Sequence, residues 1–178
     1  MRLKSLLLGT LLGGLAAFAW STISWEVIGW HGKTMLGFRN DEEVAAVISS
    51  HTLEDGTYLL PYASPPDAKL MERMQRGPIV VASVRRGGFG SVARVMTIQV
   101  LSLFAAAFLL TWLLLHTCEL SYLRRVLFLA AVGLAASVIV DLPNWNWWGF
   151  SAPFTAVNLA DNTLTWLLAG LVIAKVAK

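Results

Sequence analysis

Val95–Leu115 reads VMTIQVLSLFAAAFLLTWLLL, a run of 21 residues without one charged side chain. At about 1.5 Å of rise per residue, such a helix spans roughly 30 Å, the thickness of a bilayer's hydrocarbon core. Three further runs share its character. Ser5–Trp25 precedes it and is also uncharged. Val126–Val140 follows, lengthened by Leu123 and Leu142 at its ends. A fourth run, from about Val157 to Ala177, carries Asp161 near its start. The 178-residue chain is 56% apolar and only 14% charged, with a mean hydropathy of +0.62. A soluble domain is about 45–50% apolar and about 25% charged. The expected fold is an all-α membrane protein: a four-transmembrane-helix bundle with a small outer α+β cap between helices one and two. Residues 1–29 form the first helix, 30–94 the cap, and 95–178 the remaining three helices.

Position matters more than total for the charges. Arg2, Lys4, Arg124, Arg125, Lys175 and Lys178 lie beside the spans in short segments, opposed only by Glu119. With four spans, all of these basic groups fall on one side, and the excess of lysine and arginine marks that side as cytoplasmic. Residues 30–95 carry eight basic and seven acidic groups and belong outside. The basic excess is thus a topology signal, and no nucleic-acid partner is expected. Met1–Lys4, Ser5–Ala17 and Ala17-Phe18-Ala19 also read as the parts of a cleavable signal peptide. The apolar run continues through Trp20, Ile23, Trp25, Val27 and Ile28, so the helix is expected to stay as an anchor.

Within the outer segment, Asn40 reads as a helix N-cap with Glu43 at the capping-box position, followed by Val44, Val47 and Ile48 at helical spacing. Asp55-Gly56 marks a turn, and Thr57–Leu60 a strand ended by Pro61. Pro65-Pro66-Asp67 opens a second short helix carrying Leu70, Met71 and Met74, and Ile79–Val84 is a β-branched strand. Such a cap is too small for a large core and is expected to rest on the membrane or on the helix ends.

Cys118 is the only cysteine, which excludes an internal disulfide, CxxC redox chemistry and a cysteine-based zinc cage. No cofactor and no metal are expected. Gly-x-Ser-x-Gly, His-Glu-x-x-His, Walker A and Rossmann patterns are all lacking. What remains is acid in apolar surroundings. Asp141 ends the third run and Asp161 opens the fourth, with an uncharged Trp- and Asn-rich stretch between them that includes Asn144 and Trp147. Antiparallel helices place both carboxylates at one membrane boundary. An intramembrane carboxylate is costly and usually has a task; two in one site repel and can share a proton. The plainer alternative gives Asp161 to the positive end of its own helix and Asp141 to the headgroups.

Val157-Asn158-Leu159-Ala160-Asp161 resembles the Phe-Asn-x-Ala-Asp motif of lipoprotein signal peptidases, membrane aspartic proteases of the bacterial inner membrane. The resemblance implies four helices with both ends inside, an outer domain between helices one and two, and a catalytic pair made of Asp141 and Asp161, with Asn158 beside the second. The chain departs from that family where it reads Ser137-Val138-Ile139-Val140-Asp141-Leu142 in place of Gly-Asn-x-x-Asp-Arg. It departs again at Arg86-Gly87-Gly88-Phe89, which lacks the family's asparagine, and its outer segment is longer. The similarity covers roughly the last 40 residues.

Other candidates accompany the acids. Glu26 and His31 lie where helix one leaves the membrane and could form a polar site with Asp161, or simply snorkel at the interface. Trp145, Trp147 and Trp148, with Trp20, Trp25 and Trp30, form an interfacial belt or wall a lipid site. Gly9-x-x-x-Gly13, Ala131/Ala135 and Gly170/Ala174 offer close-packing faces within the bundle or toward a second copy. Expected partners are membrane lipid and a membrane-protein partner or homo-oligomer. The expected location is a bacterial-type inner membrane with both termini cytoplasmic. A non-catalytic accessory or binding protein comes first among the functional readings. A membrane aspartic peptidase is second, and a small oligomeric transporter third.

Overall fold

The computed structural model describes residues 2–117 and 119–177. Four long helices carry the architecture: α1 (Arg2–Thr22), α5 (Val92–Leu115), α6 (Tyr122–Trp148) and α7 (Ala152–Val176). Together with the continuation of α1 to Ile28, they are long and apolar enough to cross a membrane. Between α1 and α5 lie a π-helical segment (Ile23–Ile28), α2 (Trp30–Lys33), α3 (Asp41–His51), β1 (Gly56–Leu60), α4 (Leu70–Arg76) and β2 (Val80–Val84).

Burial along the long helices departs from that of a soluble bundle in leaving large apolar side chains outside and several polar ones inside. Leu11 and Leu15 of α1, Leu101 and Leu109 of α5, and Ile139 of α6 are exposed, whereas Thr111, Ser137, Asp141, Thr155 and Thr165 are buried. Apolar side chains turned outward around a partly polar interior suit surroundings of lipid tails.

The helices pack in the order α5, α1, α7, α6, and α5 scarcely touches α6. The row closes at the end that holds the chain termini, where Leu110 and Leu114 of α5, Leu129 of α6, Ile173 of α7 and Ala177 just beyond it share one core. Arg125 donates to the Ala177 carbonyl at the same end. Small residues let the backbones approach. Gly9 faces Thr111, Gly13 faces Ile173 and Ala107, and Gly133 faces Trp166. The Gly9/Gly13 stripe is therefore covered by the chain's own helices. Ala131 and Ala135 are exposed instead of packed; the buried stripe of α6 is Val126, Leu129, Ala130, Gly133, Ser137 and Asp141.

Two helix ends differ from expectation. The third helix does not stop at Asp141: α6 continues through Pro143 to Trp148, so Asn144 and Trp147 are helical. A proline removes one N–H donor, and a membrane helix accommodates that loss where local adjustment re-satisfies the backbone. The fourth helix starts five residues before Val157. The Ser151 hydroxyl accepts from the Phe154 N–H at 3.3 Å and a proline occupies the first turn, together a strong start signal.

The cap has the expected order of elements. Asn40 caps α3, its side-chain oxygen accepting from the Glu43 N–H at 3.2 Å. β1 and β2 pair antiparallel from Gly56 opposite Val84 to Leu60 opposite Val80, with α4 in the connection. Neither α3 nor α4 buries a residue, and Leu36, Phe38, Leu53 and Met71 are exposed.

Candidate functional site

Asp161 lies nine residues into α7, about 13 Å along its axis, and Asp141 lies seven residues before the end of α6, about 10 Å along its axis. The two acids thus share a depth near the cap end of the bundle. They do not share partners. Asp161 faces α1: its Oδ1 accepts from Trp20 Nε1 at 2.8 Å and its Oδ2 from His31 Nε2 at 3.2 Å. Asp141 faces the seam between α6 and α7, where Ser137 Oγ donates to its Oδ2 at 2.6 Å and itself accepts from Asn162 Nδ2 at 2.7 Å. Among the described residues no hydrogen bond joins the two carboxylates.

His31 reaches Asp161 because α1 does not simply run on into solvent. From Ile23 to Ile28 the helix widens into a π-helical turn, and the Gly29 N–H closes it on the Ser24 carbonyl at 3.1 Å. Gly29 has φ +61°, a left-handed conformation that suits glycine. The chain there folds back, and α2 lays the imidazole over α7. His31 is then fixed on several sides. Trp25 stacks on it with centroids 4.0 Å apart and planes 1° from parallel, Trp30 meets it edge-on, and its ring is 2% exposed. Trp30 Nε1 also donates to Ser24 Oγ at 2.8 Å.

Ser24, His31 and Asp161 are the residue types of a nucleophilic triad, but their geometry is different. A triad places the acid on one ring nitrogen and the serine on the other. Here Ser24 Oγ, 3.3 Å away, and Asp161 Oδ2 both face Nε2, while Nδ1 is buried without a hydrogen-bond partner among the described residues. Ser24 is also wholly buried, out of reach of a substrate. A carboxylate accepts only from a protonated nitrogen, so the bond to Asp161 requires a proton on Nε2.

Beside Asp161 lies a cavity of about 220 Å³ between α1, α5 and α7. Its polar lining comes from Ser21, Gln99, Asn158, Asn162 and Thr165 as well as His31 and Asp161, and Trp25 and Trp166 supply indole walls. No family model, curated protein or solved structure matches the chain. The site therefore has to be read from its own chemistry.

The structure brings only some of the sequence candidates together. Asn158 shares the cavity with Asp161 and His31. Glu26 is exposed on the π-helical turn, apart from them. Asn144 serves the end of α6, its carbonyl accepting from the Gly149 and Phe150 N–H groups. Trp147 is 74% exposed, with Trp145 and Trp148 beside it, whereas Trp20, Trp25 and Trp30 surround the polar site. Among the described residues no group of three or more potential ligands could hold a metal. Sequence reasoning missed Ser24, Ser137, Asn162 and Gln99. Gln99, a lone amide inside an uncharged span, was the one with a visible signal.

Ser137 ties α6 to α7 by accepting from Asn162 at 2.7 Å, with the Asn158 carbonyl 3.4 Å away as a second acceptor for the hydroxyl that donates to Asp141 of its own helix. Ser137→Ala removes all three contacts and takes the Ser137 acceptor from the Asn162 amide, an expected loss of about 1–3 kcal/mol. Thermal unfolding in detergent measures it.

Proposed function

We propose that this chain is a multi-pass, non-catalytic binding protein of a bacterial-type inner membrane, with both termini cytoplasmic and the cap outside. Its binding site is the cavity beside Asp161. The observation that carries this reading is a carboxylate held by two N–H donors at the edge of an amide-lined, indole-walled cavity between the long apolar helices. Binding sites of this kind combine aromatic walls with a few well-placed polar groups. Two further observations favour binding over hydrolysis. Asp141 and Asp161 have separate hydrogen-bond partners, and Ser24 faces the same ring nitrogen as the acid.

Native mass spectrometry of the detergent-solubilised protein tests this. Wild type is expected to carry membrane lipid at unit stoichiometry, and Ser21→Phe, which fills the cavity with a ring, is expected to carry none there. Equal lipid occupancy in both would overturn the reading. The orientation has its own test. A phosphatase fused after Leu60 is expected to be active and a fluorescent protein at the C-terminus to be bright. Strong fluorescence from a fusion after Leu60 would overturn the topology.

The aspartic-peptidase alternative makes a sharper demand. Asn at either position 141 or position 161 must then abolish cleavage of a prolipoprotein substrate, whereas the binding reading expects no cleavage by wild type.

A further inference from the structure

Next to the Asp161 cavity lies a second cleft of about 470 Å³ at the start of α5, and Gln99 belongs to both walls. The two differ in charge. Among the described residues the first is lined by one acid, Asp161, and by no lysine or arginine. The second is lined by Arg85 and Arg94, with Asp55 as its only acid. Asp55 already accepts from the Arg86 N–H at 2.9 Å, and no ion pair engages Arg85 or Arg94 among the described residues. An acidic cavity and a basic cleft meeting at a neutral amide form a bipolar receptor.

We infer that the paired cavities bind the zwitterionic headgroup of a phospholipid from the cap-side leaflet. Its ammonium lies beside Asp161 and its phosphate beside Arg94 and Arg85. This rests on the binding function proposed above and names the ligand class. Three physical arguments select that occupant. Each Asp161 oxygen accepts one N–H and keeps a further lone pair, so the carboxylate is a fixed acceptor for an ammonium. Trp25 and Trp166 line the same cavity, and indole is the aromatic side chain that attracts cations best. Arginine's planar fork, in turn, matches phosphate oxygens. The route is open as well. α5 and α6 scarcely meet, and the buried residues they share, Leu110 and Leu114 with Leu129, lie toward the terminal end, which gives acyl chains a way in between the two helices nearer the cap.

The test uses the full chain in detergent and native mass spectrometry with phosphatidylethanolamine, phosphatidylglycerol and oleylamine, the last an amine without phosphate. Wild type is expected to prefer phosphatidylethanolamine over phosphatidylglycerol at least about tenfold, a difference of about 1.4 kcal/mol. Asp161→Asn should lose both amine lipids. Arg94→Gln should weaken phosphatidylethanolamine and leave oleylamine unchanged. Ser21→Lys, which places the chain's own ammonium in the cavity, should exclude both amines and covers the case in which Asp161→Asn fails to fold. Soluble phosphoethanolamine should bind far more weakly than the lipid; equal binding would exclude a lipid as the occupant. Equal affinity for phosphatidylglycerol, or an Arg94→Gln effect identical on both amine lipids, overturns the zwitterion assignment while leaving a lipid site intact. Lipid retention in Ser21→Phe sinks the underlying binding function instead.

Discussion

Gly133→Ala lowers the unfolding temperature of the detergent-solubilised protein, and Gly170→Ala leaves it nearly unchanged. Both glycines are buried between α6 and α7, so burial does not separate them. Clearance does. A Cβ at Gly133 would stand 2.6 Å from Trp166 Cδ1, 2.9 Å from Trp166 Cβ and 3.0 Å from the Asn162 carbonyl oxygen. The Trp166 ring could rotate away only by invading neighbours, and the carbonyl is backbone. The helices must separate. At Gly170 the nearest atoms lie at 3.4 Å, within reach of ordinary van der Waals contact. Overpacking of this kind costs about 1–3 kcal/mol, with more expected for Gly133→Leu. Because Asn162 and Trp166 both line the Asp161 cavity, Gly133→Ala is also expected to weaken lipid binding. A thermal scan of the four proteins, wild type included, checks the order. Equal behaviour of the two alanine variants would contradict the tight α6–α7 seam.

The spans were legible in the sequence because hydropathy over 20 residues depends on composition alone, and composition does not require a partner. Val95–Leu115 lies within α5, with the helix starting at Val92. The strands Gly56–Leu60 and Val80–Val84 were legible for a similar reason, since their β-branched and aromatic residues lie between turn residues. The extension of α6 past Pro143 was not, because proline is a breaker by its own chemistry and its tolerance depends on surroundings. The site was legible in its residue types, since Asp161, His31, Asn158, Trp20, Trp25 and Trp30 all stood out, but not in the geometry that joins them. Ser24 and His31 lie seven residues apart on what reads as the straight end of a helix, a spacing that puts them on one face two turns apart. A π-helical turn and a left-handed Gly29 bring them within hydrogen-bond distance. Neither device leaves a hydrophobic period to read. Asp161 and Asp141 showed the opposite difficulty. Depth follows from counting along antiparallel helices, but facing depends on which neighbour each helix packs against. α7 packs on α1 and on α6, so two adjacent residues of α7, Asp161 and Asn162, serve different helices.

That division of partners predicts opposite outcomes for two chemically identical substitutions. Asp161→Asn should destabilise the protein strongly, and Asp141→Asn should cost under about 1 kcal/mol. Both oxygens of Asp161 receive N–H donors, from Trp20 and His31. Asparagine offers one oxygen and one NH₂, so one of those donors must face another donor. His31 could answer by moving its proton from Nε2 to Nδ1, but Nδ1 is buried with no partner among the described residues, so the unsatisfied N–H would only change place. Each such loss costs about 1–3 kcal/mol. Asp141 accepts a single O–H, from Ser137, and the oxygen of asparagine can accept it equally well. A double-mutant cycle makes the argument specific. Trp20→Phe removes one competing donor, so Trp20→Phe/Asp161→Asn is expected to be less destabilised than the sum of its single variants. Additive losses would mean that the Trp20–Asp161 bond does not hold the carboxylate. An equally large loss at Asp141 would mean that the two acids act as one unit, which is what a shared-proton pair requires and separate partners do not.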